Sequence, residues 1–188
     1  MTKVPLEAVK ALREKTGAPL GDVRVALEAA GGNETKAREL LKQKGFEAAL
    51  KRQSRATAMG RIESYVHHDG RVGVLVEVNC ETDFVARVAE FQQFCRDVAM
   101  QIASQHPFCV KKEDLSPRQV EDAKQRGTTA EELARERCLL EQPCIKDPRQ
   151  TVGQSLTSLI AKTGENVVIR RFIRFSLGEE SGSERTAS

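Results

Sequence analysis

The sequence predicts an α+β protein, with a bundle of three short helices ahead of a small antiparallel β-sheet packed with helices. Three observations carry that expectation. From Leu6 to Leu41, apolar residues recur at helical spacing in three short blocks punctuated by Gly17, Pro19 and Gly31-Gly32. Val72, Val74, Val76 and Val78 alternate with other residues, the mark of a strand with one buried face. A second alternating segment, Val167 to Phe175, follows a long helical stretch.

The first helix has Leu6, Val9 and Leu12 on one face and ends before Gly17. Pro19 suits the opening turn of the second helix, whose face is Leu20, Val23, Leu27 and Ala30. Gly31-Gly32 stops it, since glycine takes the left-handed cap conformation readily. Asn33 caps the third helix, with Ala37, Leu40 and Leu41 expected to face inward. Residues 1–45 therefore read as a bundle, and 46–59 as a helical or mobile connector.

An α+β core is expected over 60–178. Arg61–His67 and Val72–Asn79 read as a β-hairpin around Asp69-Gly70, a dipeptide that favours tight hairpin turns. A polar turn over 80–87 leads into a helix from about Val88 to Ser104, apolar at Phe91, Phe94, Cys95, Val98 and Ile102. Ser116-Pro117-Arg118-Gln119 and Thr129-Ala130-Glu131-Glu132 each have the pattern of a capping box. They predict a helical hairpin over 116–140 that turns at Arg126-Gly127. Gln154 to Ala161 is a further helix with Leu156, Leu159 and Ile160 inward. The closing strand alternates Val167, Ile169, Arg171 and Ile173 with Val168, Arg170, Phe172 and Arg174. The tail, 179–188, has one alanine as its apolar content and should be disordered.

Composition narrows the functional classes. Charged residues make up 30% and hydrophobic ones 39% of the 188, an ordinary balance for a globular protein. No apolar run is long enough to span a bilayer, and no apolar region follows Lys3, so a cytoplasmic protein without membrane attachment is expected. Five cysteines include no Cys-x-x-Cys pair and no zinc spacing, and their odd number argues against a fully paired disulfide framework. Cys95 reads as a small core residue. The adjacent His67 and His68 point to opposite faces of a strand, so no metal site is expected. The net charge of +3 does not force a nucleic-acid reading. Its excess gathers at Lys42, Lys44, Lys51, Arg52, Arg55 and Arg61, but Phe46 is the one aromatic nearby for base stacking.

Cys80-Glu81-Thr82-Asp83-Phe84-Val85-Ala86-Arg87 is the most informative stretch. A bulky apolar Phe84 stands beside an acid, Asp83, directly after a strand. Two readings are open on the residues alone. Phe84 folds back into the core, or the sheet presents it as an apolar anchor for a partner's pocket.

Asn79 to Arg87 resembles the signature of the elongation factor Ts family. Further segments resemble it in the same order. These are Val9 to Ala18, Gly70 to Glu77, Leu140-Glu141-Gln142-Pro143, Lys146-Asp147, Ala161 to Asn166 and Arg170-Arg171-Phe172. The resemblance covers nearly the whole chain. It implies a guanine-nucleotide exchange factor that binds the GTPase domain of elongation factor Tu and promotes GDP release. That activity makes no covalent change, so it implies no enzyme, no catalytic residue, no cofactor and no nucleotide bound by this chain. It also implies roles: Thr82, Asp83, Phe84 and Val85 enter beside the partner's Mg²⁺ site, with Phe84 as wedge. The N-terminal helices, similar to a ubiquitin-associated-like domain, serve as a second anchor through Leu12 and Leu20. Where relatives often carry two methionines after the Thr-Gly-Ala segment, this chain has Pro19-Leu20-Gly21. The short length resembles members with one core module per chain, which pair as homodimers. Two other classes remain in view. An RNA-binding module would use the basic stretch of the N-terminal region, and a thiol enzyme would use Cys80 with a base brought close by folding.

Overall fold

The computed structural model describes residues 4–179. Two compact units emerge. One comprises the chain up to Arg55 together with Thr157–Asn166, and the other comprises Ala56–Leu156 with the chain from Val167 onward. Helices plus a three-stranded antiparallel sheet make the protein α+β, as the sequence predicts.

The first unit contains α1 (Leu6–Thr16), α2 (Leu20–Ala29) and α3 (Glu34–Arg52). Val9, Leu12, Val23, Ala26, Leu27 and Ala37 form its core. Leu41 packs against that core, but Leu40, expected inward, is 40% exposed. Gly17 closes α1 at φ +67, donating its N–H to Arg13 O, a conformation a side chain resists. Asn33 caps α3 by accepting the Lys36 N–H at 3.0 Å. The helix then runs without interruption through 46–52, the start of the expected connector. The end of α8 (Val152–Thr163) belongs to this unit as well. Ala161 lies against Gly45, where a Cβ would stand 3.1 Å from the alanine methyl. Asn166, 2% exposed, donates through Nδ2 to Arg55 O at 2.9 Å and Gln53 O at 3.4 Å. Local periodicity could not reveal that a segment more than a hundred residues away completes the bundle.

In the second unit, β1 (Met59–Val66) pairs antiparallel with β2 (Val72–Cys80), and β2 pairs antiparallel with β3 (Val167–Ser176). The β1–β2 loop spans 67–71, wider than a two-residue turn. Its frame is His67 N–H to Val72 O and Gly70 N–H to His67 O, each 2.8 Å. The Asp69 carboxylate accepts the Arg71 N–H at 3.0 Å. Val74, Val76, Val78 and Cys80 line the inner face, and α5 (Ala89–Gln105) packs against β1 and β2. Phe91, Cys95, Val98, Ala99 and Ile102 are its buried stripe.

A register shift between Glu77 and Val78 changes the reading of β3. Val76 pairs with Phe172 and Val78 with Ile169, so Arg170 and Arg171 stand between two inward residues. Strict alternation would put Ile169 and Ile173 on one face. The bulge instead turns Ile169 and Phe172 inward and Ile173 outward beside Leu75.

The rest of this unit carries α6 (Pro117–Gln125) and α7 (Ala130–Arg137), each opened by the expected capping box, at Ser116/Gln119 and Thr129/Glu132. Two buried glutamines lock the following loop to α5. Gln101 donates to Gln142 Oε1 at 3.3 Å and to Pro143 O at 3.1 Å, while its own Oε1 accepts the Ile145 N–H at 2.9 Å. Gln142 donates to Glu136 O at 2.7 Å. α8 begins at Val152, earlier than the Gln154 expected, because Thr151 and Gln154 cap each other reciprocally. Of the expected disordered tail, only Glu179 falls within the described residues; it pairs with Arg174 at 3.0 Å.

Candidate functional site

The strand β2 ends at Cys80 and hands over to α4 (Asp83–Arg87) within two residues. The stretch expected as a plain polar turn is thus partly helical, and the reason is local. Thr82 is the N-cap, its Oγ1 accepting the Val85 N–H at 3.4 Å. Beneath it, the buried Cys80 thiol donates to Thr82 O at 3.1 Å. Val88 then adopts an extended conformation, breaking the chain between α4 and α5.

This geometry divides the Thr82–Val85 segment into roles. Val85 is 8% exposed and pins α4 down, and Thr82 is half-buried at the cap. Phe84 is 78% exposed, so it does not fold back into the core. Helical geometry explains the split, since adjacent residues on a helix point about 100° apart. Burying Val85 leaves Phe84 facing outward. Asp83 forms an ion pair with Arg87 at 3.0 Å, one turn further on. Such an exposed pair contributes little to stability, about 0.3–0.5 kcal/mol.

An exposed phenylalanine on a rigid platform is unfavourable in water unless something covers it. The platform here is firm, because α4 contacts β1, β2 and α5. The N-terminal candidates differ sharply. Leu12 is 1% exposed inside the bundle core, whereas Leu20, opening α2, is 48% exposed. Val25 on α2 is 58% exposed, an apolar surface residue that sequence reasoning missed. Its signal was its position outside the Leu20, Val23, Leu27 stripe.

The Cys80 sulfur, the candidate nucleophile of a thiol enzyme, is engaged with Thr82 O and fully buried. Burial pushes the Cys95 thiol up to about 12, in keeping with a core residue. The basic stretch is partly neutralised: Lys44 pairs with Asp22 at 2.7 Å.

A family profile described as elongation factor TS matches residues 24–135. An elongation factor Ts from Rubrobacter xylanophilus is 47% identical, covering 92% of this chain and 98% of the relative. The chain belongs to the elongation factor Ts family. An elongation factor Ts from Carboxydothermus hydrogenoformans is also 47% identical, over 92% of this chain and 88% of its own length. One from Caldanaerobacter subterraneus is 44% identical, over 94% and 98%. Membership places the chain among the exchange factors of translation elongation. The exposed Phe84 lies within the residues that the family profile matches.

Proposed function

We propose that this chain binds the GTPase domain of elongation factor Tu in its GDP form and expels GDP by inserting Thr82–Val85 beside the Mg²⁺ site. The carrying observation is Phe84, 78% exposed on a helix turn that Val85 and Cys80 hold from below. Phe84 acts as the apolar wedge. Asp83 supplies a carboxylate that disturbs the ligands of Mg²⁺, and loss of that metal uncovers the phosphate charge it offsets. The thermodynamics are reciprocal: a factor that prefers the nucleotide-free GTPase weakens GDP by the same ratio. No bond is made or broken, so no nucleophile, cofactor or nucleotide pocket of its own is required. The reaction belongs in the cytoplasm with the rest of translation.

The N-terminal bundle is the second anchor. Leu20 offers the contact surface, and Leu12 acts from within by holding α1 against its neighbours. Gly21 adds no side chain there.

The chain works as a homodimer through the outer sheet face. Ile62 and Val66 of β1, Leu75 of β2 and Phe175 of β3 are 46–68% exposed on that face. Exposed apolar side chains gathered on one face of a small sheet are a common mark of an interface, and both β1 and β3 are open edges.

The direct test is release of a fluorescent GDP analogue from elongation factor Tu. Catalytic amounts of this protein should accelerate release many-fold. No acceleration, with binding to RNA that weakens steeply with salt, would favour the RNA-binding alternative.

A further inference from the structure

The exchange reading leaves the α6–α7 hairpin and its two cysteines without a role. Cys109 lies in the extended segment after α5, and Cys138 follows α7 directly. Their backbones run side by side as a parallel bridge. Phe108 N–H donates to Arg137 O at 2.7 Å, Leu139 N–H to Cys109 O at 2.9 Å, and Leu140 N–H to Val110 O at 3.1 Å. Residues paired in such a ladder lie roughly 5 Å apart, inside the ~4.4–6.8 Å that a disulfide spans between Cα atoms. Both side chains emerge on the same side, and the sulfurs are already in contact at 3.4 Å. Bonding at ~2.05 Å requires about 1.4 Å more approach, within reach of small side-chain rotations. Leu115 and Ala134 pack around the pair.

We propose that Cys109 and Cys138 form a built dithiol, a modification site that closes to an intramolecular disulfide on exchange with a small-molecule disulfide. The bond staples the two roots of the α6–α7 hairpin. The electron balance with oxidised glutathione is complete. Cys109, 8% exposed against 0% for Cys138, is the sulfur that glutathione reaches, and as its thiolate it attacks one glutathione sulfur. The glutathione S–S bond breaks, and one glutathione leaves with the electron pair. Cys138 then loses its proton and attacks the Cys109 sulfur, which expels the second glutathione. Two protein thiols are oxidised, one glutathione disulfide is reduced to two thiols, and the departing glutathiones take up the two protons.

Selectivity comes from proximity rather than from a reactive thiolate. Burial raises both thiols above the ordinary cysteine value, so closure is slow at neutral pH and passes through opening of the α7 end. The same burial slows reduction of the finished bond. The Cys80 sulfur contacts Thr82 O, Cys95 lies buried in α5, and Cys144 is half-buried in the loop before α8. Cys144 is therefore the natural competitor for a simple glutathione adduct.

The full-length, fully reduced chain is incubated with millimolar oxidised glutathione at mildly alkaline pH, quenched with acid and analysed by mass. The expected product is 2 Da lighter than the reduced chain, carries no retained glutathione, and yields a peptide joining Cys109 to Cys138. Its melting temperature is several degrees above that of the reduced chain, and dithiothreitol reverses the rise. Cys109→Ser should abolish both the crosslink and the rise. If that variant folds poorly, the wild-type peptide map still decides. A product with all thiols free, glutathione retained on Cys144 alone, or a crosslink that leaves the melt unchanged would each overturn the proposal. The readout involves no elongation factor Tu, so its failure is separate from failure of the exchange reading.

Discussion

The Cys80 thiol donates to the Thr82 carbonyl oxygen at 3.1 Å, and on that contact the sheet passes its rigidity to α4. Cys80 is the last inward residue of β2, and Thr82 is the N-cap that starts the next helix. Phe84 is held outward two residues later. The consequences can be measured one residue at a time.

Thr82→Ala should loosen α4. The lost cap costs about 1 kcal/mol, a large share of what a five-residue helix has to hold it. GDP release should slow several-fold while the global melt drops by a few degrees or less. Thr82→Ser, which keeps the accepting oxygen, should restore release. Equal release by all three proteins in the fluorescence assay would argue against a positioning role for the cap.

Gly60→Ala should destabilise the second unit by about 1–3 kcal/mol. Gly60 has φ +147, a region that side chains avoid, and an added Cβ would stand 2.2 Å from Val78 O and 2.7 Å from Asn79 Cα. These are backbone atoms of the central strand and have little room to move. Urea denaturation followed by circular dichroism measures the loss, and an unchanged midpoint would refute the constraint.

Glu77 ties β2 to β3 by accepting from Arg171 at 2.7 Å. That hydrogen bond holds the Glu77 carboxyl below its ordinary value of 4.5. A carboxyl depressed in the folded state contributes stability above its unfolded value and loses it as pH falls through the folded one. Wild type should therefore exceed Glu77→Gln in stability at neutral pH, by no more than about 1 kcal/mol given the partial exposure. The gap should close on acidification below about pH 4. Parallel denaturation curves at neutral and acid pH decide it, and a gap that persists in acid would contradict the assignment.

Leu75→Lys tests the outer face. Leu75 lies on the central strand, paired with Ile173 and Ser64, and is 46% exposed. Light scattering at micromolar concentration should give wild type twice the chain mass and the variant near 20.8 kDa. A monomeric wild type would remove the dimer proposal.

Much of this was legible in the sequence, because the informative signals were local. Asn33, Ser116 and Thr129 each announced a helix start through their own side chains, and the structure uses all three as caps. Val74, Val76 and Val78 showed the buried face of β2 by alternation alone. What escaped was decided by partners remote in the chain. The bulge at Arg170 depends on how β3 meets β2, so alternation within β3 misassigned Ile173. The return of 157–166 to the first unit depends on Asn166 reaching Arg55 O. At the candidate site, the sequence left Phe84 between core and surface. The cap at Thr82 and the burial of Val85 decided in favour of the surface.

The central claim rests on Phe84 and is tested by stimulated GDP release from elongation factor Tu with Phe84→Ala. With 78% of the residue exposed, truncation should leave the melt unchanged. Loss of a central aromatic anchor costs about 2 kcal/mol or more, which corresponds to roughly a thirtyfold loss in stimulated release at limiting factor. A folded variant that releases GDP as fast as wild type would contradict the account.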